Sequence, residues 1–147
     1  MKILIDANVA LDVLLERHPF CISGAQVLSL SKGGIELLIS ASTVTDIYYI
    51  IHKQLKDKKD AIALLKNLLE SINVAAVTNS EIHRAIDLDW GDFEDAVQYA
   101  AGEAVKVDYL VTRNISDFAA SVLPVVTPDE LLQILISDNV AEEMNNL

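Results

Sequence analysis

The chain is 147 residues long, which favours one domain with a sizeable core. Its Lys and Arg total 11 against 22 Asp and Glu, a net charge of −11 with neutral histidines, which argues against nucleic-acid binding through a broad basic surface. Hydrophobic residues at 52% exclude a disordered chain, 5% aromatics make the core aliphatic, and the single cysteine, Cys21, excludes a disulfide scaffold and leaves no zinc pattern.

Short apolar runs alternate with longer helical patterns, with no repeat, low-complexity stretch or linker between them. Residues 2–5 read as a buried strand, followed by helices over 10–16 and 22–31 on either side of Pro19. A second strand over 35–39 follows Gly33-Gly34 and leads into helices over 44–55 and 59–71, separated by a charged break. A third strand over 74–77 precedes helices over 80–87 and 92–106, which meet at Trp90-Gly91. Strands over 109–111 and 125–126 follow, then a helix over 129–137 whose first turn suits Pro128. Near-continuous apolar strands between helices predict a three-layer α/β/α sandwich around a parallel sheet of about five strands, with right-handed crossovers. One domain is expected over residues 1–137, with a polar tail over 138–147 that frays or lies on a partner. The opening stretch carries Asp6 and Asp12 and no basic leader. No apolar run nears the roughly 20 residues of a membrane span, so a cytoplasmic location is expected.

In open parallel sheets, sites form at the carboxyl ends of the strands. Asp6 follows the first strand directly, with Asn8 two positions on, and Asp46 lies about one and a half turns into the helix after the second strand. Asp92 and Asp95 open the helix before the fourth strand, and Asp117 follows that strand. Asp92 and Asp95 are spaced i, i+3, so they share a helix face that is expected to continue through Tyr99 and Gly102. The opposite stripe, Phe93, Val97, Ala100, Ala101 and Ala104, is apolar and expected to pack on the sheet. Carboxylates that converge without lysines repel one another unless a cation sits among them. Oxygen ligands without histidine or cysteine point to Mg²⁺ or Mn²⁺, an ion that would also invert the local field for a phosphodiester. Each acid also has a local reading: Asp92 as a helix cap, Asp95 as a partner of the helix dipole, Asp6 as a turn former, Asp46 as a solvated helix residue and Asp117 as the cap of a short helix over 118–121.

The segments Leu4-Ile5-Asp6-Ala7-Asn8-Val9, Asp92-Phe93-Glu94-Asp95-Ala96-Val97 and Leu110-Val111-Thr112-Arg113-Asn114, with Asp117-Phe118, resemble in order and spacing the motifs of PIN-domain nucleases. The stretch Ile39-Ser40-Ala41-Ser42-Thr43-Val44-Thr45-Asp46-Ile47-Tyr48-Tyr49 is similar to a bacterial PIN subgroup that includes the VapC-like toxin ribonucleases. The resemblance spans about residues 2–132. It implies a Mg²⁺- or Mn²⁺-dependent endoribonuclease, in many relatives the toxin of a toxin–antitoxin pair, with RNA as substrate, an antitoxin protein as partner and a homodimer as assembly. By motif, the resemblance makes Asp6, Asp46, Asp95 and Asp117 catalytic, with Asp6, Asp95 and Asp117 on the metal. Asn8, Asp92, Thr112 and Asn114 become supporting residues. Asp46 stands where the wider family usually has a glutamate. Hydrolysis by water would leave 5′-phosphate and 3′-hydroxyl ends.

Arg113 has two readings, a phosphate clamp through paired N–H donors or a surface arginine. The basic run over 52–59 reads as a solvated turn rather than an RNA guide, and His18, His52 and His83 lie in separate segments. A receiver-like domain would need paired acids after the first strand and a lysine after the last, and an aspartyl phosphatase would need a second Asp at Asn8. Dinucleotide binding lacks its glycine loop. The serious rival is a PIN fold kept as a non-catalytic binding or scaffold module, which Asp46 supports.

Overall fold

The computed structural model describes all 147 residues. Five strands, β1 (Lys2–Ile5), β2 (Glu36–Ser40), β3 (Asn73–Ala75), β4 (Tyr109–Val111) and β5 (Val125–Val126), form one sheet in the order β3-β2-β1-β4-β5, with every neighbouring pair parallel. Seven α-helices surround it: α1 (Ala7–Leu14), α2 (Phe20–Leu28), α3 (Ala41–Leu55), α4 (Lys58–Leu69), α5 (Asn79–Leu88), α6 (Phe93–Ala104) and α7 (Pro128–Asn145). Two 3₁₀ turns, Ser29–Gly33 and Ile115–Phe118, complete the chain. This is the α/β/α sandwich that the alternation of short apolar runs and helical patterns predicts.

Side chains on a strand alternate between faces, and here both faces are covered. Ile3, Ile5, Leu37, Ile39 and Val111 pack with Val9 of α1, Val27 of α2, Ile47 and Ile51 of α3, Leu68 of α4 and Leu131 of α7. The intervening Leu4, Leu38 and Leu110 face the other layer, where they meet Tyr99 and Ala101 of α6 and Phe118. Helix α5 joins that layer through Ala85 against Ala96 and Val97. Gly102 lets α6 approach the central strand: a Cβ there would stand 2.8 Å from Leu4 Cδ2.

The carboxyl ends of three strands pass directly into helices through side-chain caps. Asp6 accepts from the Ala7 N–H at the start of α1, and Ser40 from the Thr43 N–H at the start of α3. Thr127 accepts from the Glu130 N–H while Glu130 accepts from the Thr127 N–H, a capping box with Pro128 in the first turn of α7. Several boundaries differ from the sequence expectation, among them the start of α3 at Ala41 rather than residue 44. Helix α1 begins at Ala7 rather than residue 10, because Asp6 itself is the cap. The expected helix over 22–31 divides into α2, starting at Phe20, and a 3₁₀ turn closed by Gly34 at φ 87°. Helix α7 runs on to Asn145 through the stretch expected as a tail, since no glycine or proline interrupts it, although every residue from Ile136 onward is exposed. No helix is long and apolar enough to cross a membrane.

Candidate active site

Asp6 and Thr112 stand side by side because β1 and β4 are adjacent and parallel. The Asp6 N–H donates to Val111 O at 3.0 Å, one residue before Thr112. The Asp6 carboxylate is buried and held from three directions. Its Oδ1 accepts from the Ala7 N–H at 2.7 Å and from Gln98 Nε2 at 3.1 Å. Its Oδ2 accepts from Thr112 Oγ1 at 2.7 Å and Asn8 Nδ2 at 3.2 Å. Burial pushes the Asp6 pKa up, the bonds from Thr112, Gln98 and Ala7 oppose that, and the nearby Asp117 carboxylate pushes it further up. Thr112, itself buried, also accepts from Asn8 Nδ2 at 3.2 Å and from the Asn114 N–H at 3.0 Å, so its hydroxyl joins β4 to the start of α1.

Helix α6 supplies the second group. Asp92 caps it by accepting from the Asp95 N–H at 3.1 Å, so the capping role read from the sequence is realised. The Asp95 pKa is pushed up to about 7, first by burial and then by Asp92, Asp6, Asp117 and Glu94, with no hydrogen bond to offset them. Asp117 is exposed and lies inside the single 3₁₀ turn Ile115–Phe118 rather than capping a helix over 118–121. The structure therefore brings Asp6, Asp92, Asp95 and Asp117 into one electrostatic group.

Two expectations about α6 need correction. The face carrying Asp92 and Asp95 continues through Gln98, which reaches Asp6, whereas Tyr99 and Gly102 turn into the core. Phe93, expected against the sheet, is 49% exposed at the first turn, and Ala104 is exposed at the last. Gln98 was missed because a glutamine carries no charge signal, yet its i+3 spacing from Asp95 was available to find it.

Asp46 stands apart. Burial alone raises its pKa, with no contribution from another carboxylate. Asn8 accepts from the Arg113 N–H at 3.3 Å, while the exposed Asn114 precedes the 3₁₀ turn without a side-chain cap bond. The Arg113 side chain is no free phosphate clamp. Its Nε and Nη2 donate to the buried Asp12 at 2.5 and 3.1 Å, and its guanidinium lies 4.2 Å from the centre of the Phe20 ring. Asp12, which carried no role in the sequence reading, is thus the counter-ion that fixes Arg113. A cavity of about 200 Å³ beside this pair is lined by Phe20, Ser23, Arg113, Thr127, Pro128 and Asp129, and none of the grouped acids borders it. The basic run over 52–59 forms the exposed junction of α3 and α4, with Lys56 at φ 56° and Asp57 capping α4, as a solvated turn requires.

No three acidic, histidine or cysteine side chains close into a metal-ligand group. The donor chemistry nonetheless suits a hard divalent cation. The grouped side chains offer only carboxylate oxygens, and Asp92, Asp6 and Asp117 all push the Asp95 pKa up. The ion pairs of the protein, Arg113–Asp12, Arg17–Asp12 and Arg84–Glu103, leave all of them without a cation.

Residues 2–116 match the PIN domain family. The chain belongs to that family. Ribonuclease VapC1 of Aquifex aeolicus is 29% identical to this PIN domain over 142 residues, covering 90% of this chain and 94% of that protein. Among solved structures, VapBC2 from Rickettsia felis bound to a DNA fragment of its promoter superposes with a TM-score of 0.71 at 18% identity, over 86% of this chain and 98% of that one. A toxin–antitoxin complex from Klebsiella pneumoniae superposes with a TM-score of 0.64 at 23% identity, over 85% and 96%. These two share the PIN fold with the present chain.

Proposed function

We propose that this PIN domain is a metal-dependent endoribonuclease and the toxin of a toxin–antitoxin pair. The observation that carries the reading is the gathering of Asp6, Asp95 and Asp117 beyond the carboxyl ends of β1 and β4 without a cationic partner, while Asp12 nearby is fully paired. Support for RNA as substrate comes from the similarity to ribonuclease VapC1, and for an antitoxin partner from the toxin–antitoxin complexes with the same fold. A homodimer and a cytoplasmic location belong to the same reading.

In this reading Asp6, Asp95 and Asp117 hold Mg²⁺ or Mn²⁺, with Asp46 contributing directly or through water. When bound, the ion supplies charge neutralisation and an activated water for in-line displacement at phosphorus. The residues of the chain prepare that event. Thr112 and Asn8 hold the Asp6 carboxylate in place through its Oδ2. Asp92 holds the first turn of α6 and with it Asp95. Asn114, exposed at the rim, is available to the scissile phosphate. The proton that Asp95 carries below about pH 7 must leave before it can act as a ligand. Cleavage breaks the bond from phosphorus to the 3′ oxygen, giving 5′-phosphate and 3′-hydroxyl ends.

The test is Mn²⁺ calorimetry on wild type and Asp95→Asn, with RNA cleavage followed in the same samples. Binding that weakens in the variant, with wild-type cleavage abolished by EDTA, is the expected result. Metal binding without cleavage of any RNA would favour the second reading, a PIN fold kept as a binding module, for which Asp46 in place of the family's usual glutamate speaks. A folded wild type that binds no Mn²⁺ would overturn the metal mechanism.

A further inference from the structure

We infer that Gln98 is a positioning residue of this site: it braces the Asp6 carboxylate from α6 and ties it, through Thr43, to the start of the helix that carries Asp46. The inference rests on the metal-dependent reading above.

Gln98 is only 4% exposed, in a helix packed on the apolar face of a sheet. A long polar side chain in such a position is disfavoured unless both of its ends are paired. Here they are, and the pairing fixes which way the amide points. The carboxylate of Asp6 can only accept, so the amide must present Nε2 to it, at 3.1 Å. Oε1 then faces the Thr43 hydroxyl at a longer 3.5 Å. Thr43 is buried as well and lies 2.7 Å from Ser40 Oγ, the cap of α3. A buried polar chain therefore runs from the end of β2, across the face of α6, to the acid at the end of β1. No buried polar side-chain atom in the protein is left without a partner.

The other donors to Asp6 do not duplicate this bond. Ala7 is its chain neighbour, and its N–H moves with Asp6. Thr112 and Asn8 both approach Oδ2, and Asn8 divides its amide between Asp6 and Thr112 at 3.2 Å each. Gln98 alone grips Oδ1 from a different element, and that element is the helix bearing Asp95. One side chain thus sets the carboxylate of β1 relative to α6. The weaker Thr43 contact extends the same reference to α3, one turn before Asp46.

The test is Gln98→Met, which keeps length and volume and removes both polar ends. The metal-free variant should melt cooperatively, yet its Mn²⁺ Kd by calorimetry should weaken on the order of tenfold, the loss typical of an outer-shell partner. In RNA cleavage, kcat should fall while KM holds. Thr43→Val should weaken Mn²⁺ binding in the same direction by less, and it carries the test should Gln98→Met fail to fold. A folded Gln98→Met with the wild-type Kd, beside an Asp95→Asn that loses binding, overturns the positioning role and leaves the metal reading standing. If Gln98→Met does not fold, a wild-type Kd in Thr43→Val overturns it in the same way. A wild type that binds no Mn²⁺ overturns both.

Discussion

Asp12 and Asp95 sit on helices that flank the same end of the sheet, and the protein treats them in opposite ways. Asp12, 1% exposed, meets the forked guanidinium of Arg113 at two oxygens, with Arg17 at 3.8 Å. Asp95, half-buried, meets only Asp92, Asp6, Asp117 and Glu94, and its pKa is pushed up to about 7 by burial and by that company. A neutralised acid in the interior holds the fold together. An acid left among like charges weakens the fold, and in the proposed reading a metal ion relieves that repulsion.

The comparison breaks most visibly at Arg113. Arg113→Ala leaves Asp12 buried without its main partner, and urea unfolding should show a loss of about 3 kcal/mol, the usual result of removing one member of a buried pair. Asp95→Asn should act in the other direction. Above pH 7 and without metal it removes a repelled charge that no hydrogen bond offsets, so the variant should be more stable than wild type. Solvent screening of a half-exposed group limits that gain to about 1 kcal/mol.

The same contrast predicts how stability follows pH. The folded state holds a proton on Asp95 up to about 7, while the unfolded chain releases it near its ordinary value of 3.8. More protons are bound in the folded state across that window, so this group makes the metal-free protein less stable as pH rises through it and has no further effect above it. A metal competes with that proton, so Mn²⁺ affinity should rise over the upper part of the same window. Melting curves of the metal-free protein and calorimetry at pH 6 and 8 should give opposite trends. The smallest effect belongs to Asp46. It shares no carboxylate neighbour with the group, so Asp46→Asn should weaken Mn²⁺ binding less than Asp95→Asn does.

The layered fold was legible because its strands are continuous aliphatic runs, and Ile3, Leu4 and Ile5 state their burial on both faces by having no polar residue among them. The placement of Asp6, Asp92 and Asp95 was legible for a related reason, since each lies at an element end that the sequence marks. Three features were not. Arg113 reads alike as a phosphate ligand and as a counter-ion, because only tertiary packing brings Asp12 to it across 101 positions of sequence. Gln98 has no charge to draw notice and acquires its role from the close packing of α6 on β1. The ends of the apolar stripe of α6 were not legible: Val97, Ala100 and Ala101 are buried as expected, whereas Phe93 in the first turn and Ala104 in the last are exposed.

Gly102 gives α6 the character of a lever with a fixed fulcrum. The ten residue steps from Asp92 to Gly102 span about 15 Å of helix, so the contact with Leu4 at one end helps set the height of the acids at the other. Asp95 rides on that arm, while Asp6 belongs to the strand beneath it. The placement of Asp95 over Asp6 thus depends in part on a point about two turns away, where a single hydrogen stands in place of a methyl group. Tolerance at the acids is inherited from tolerance at the glycine.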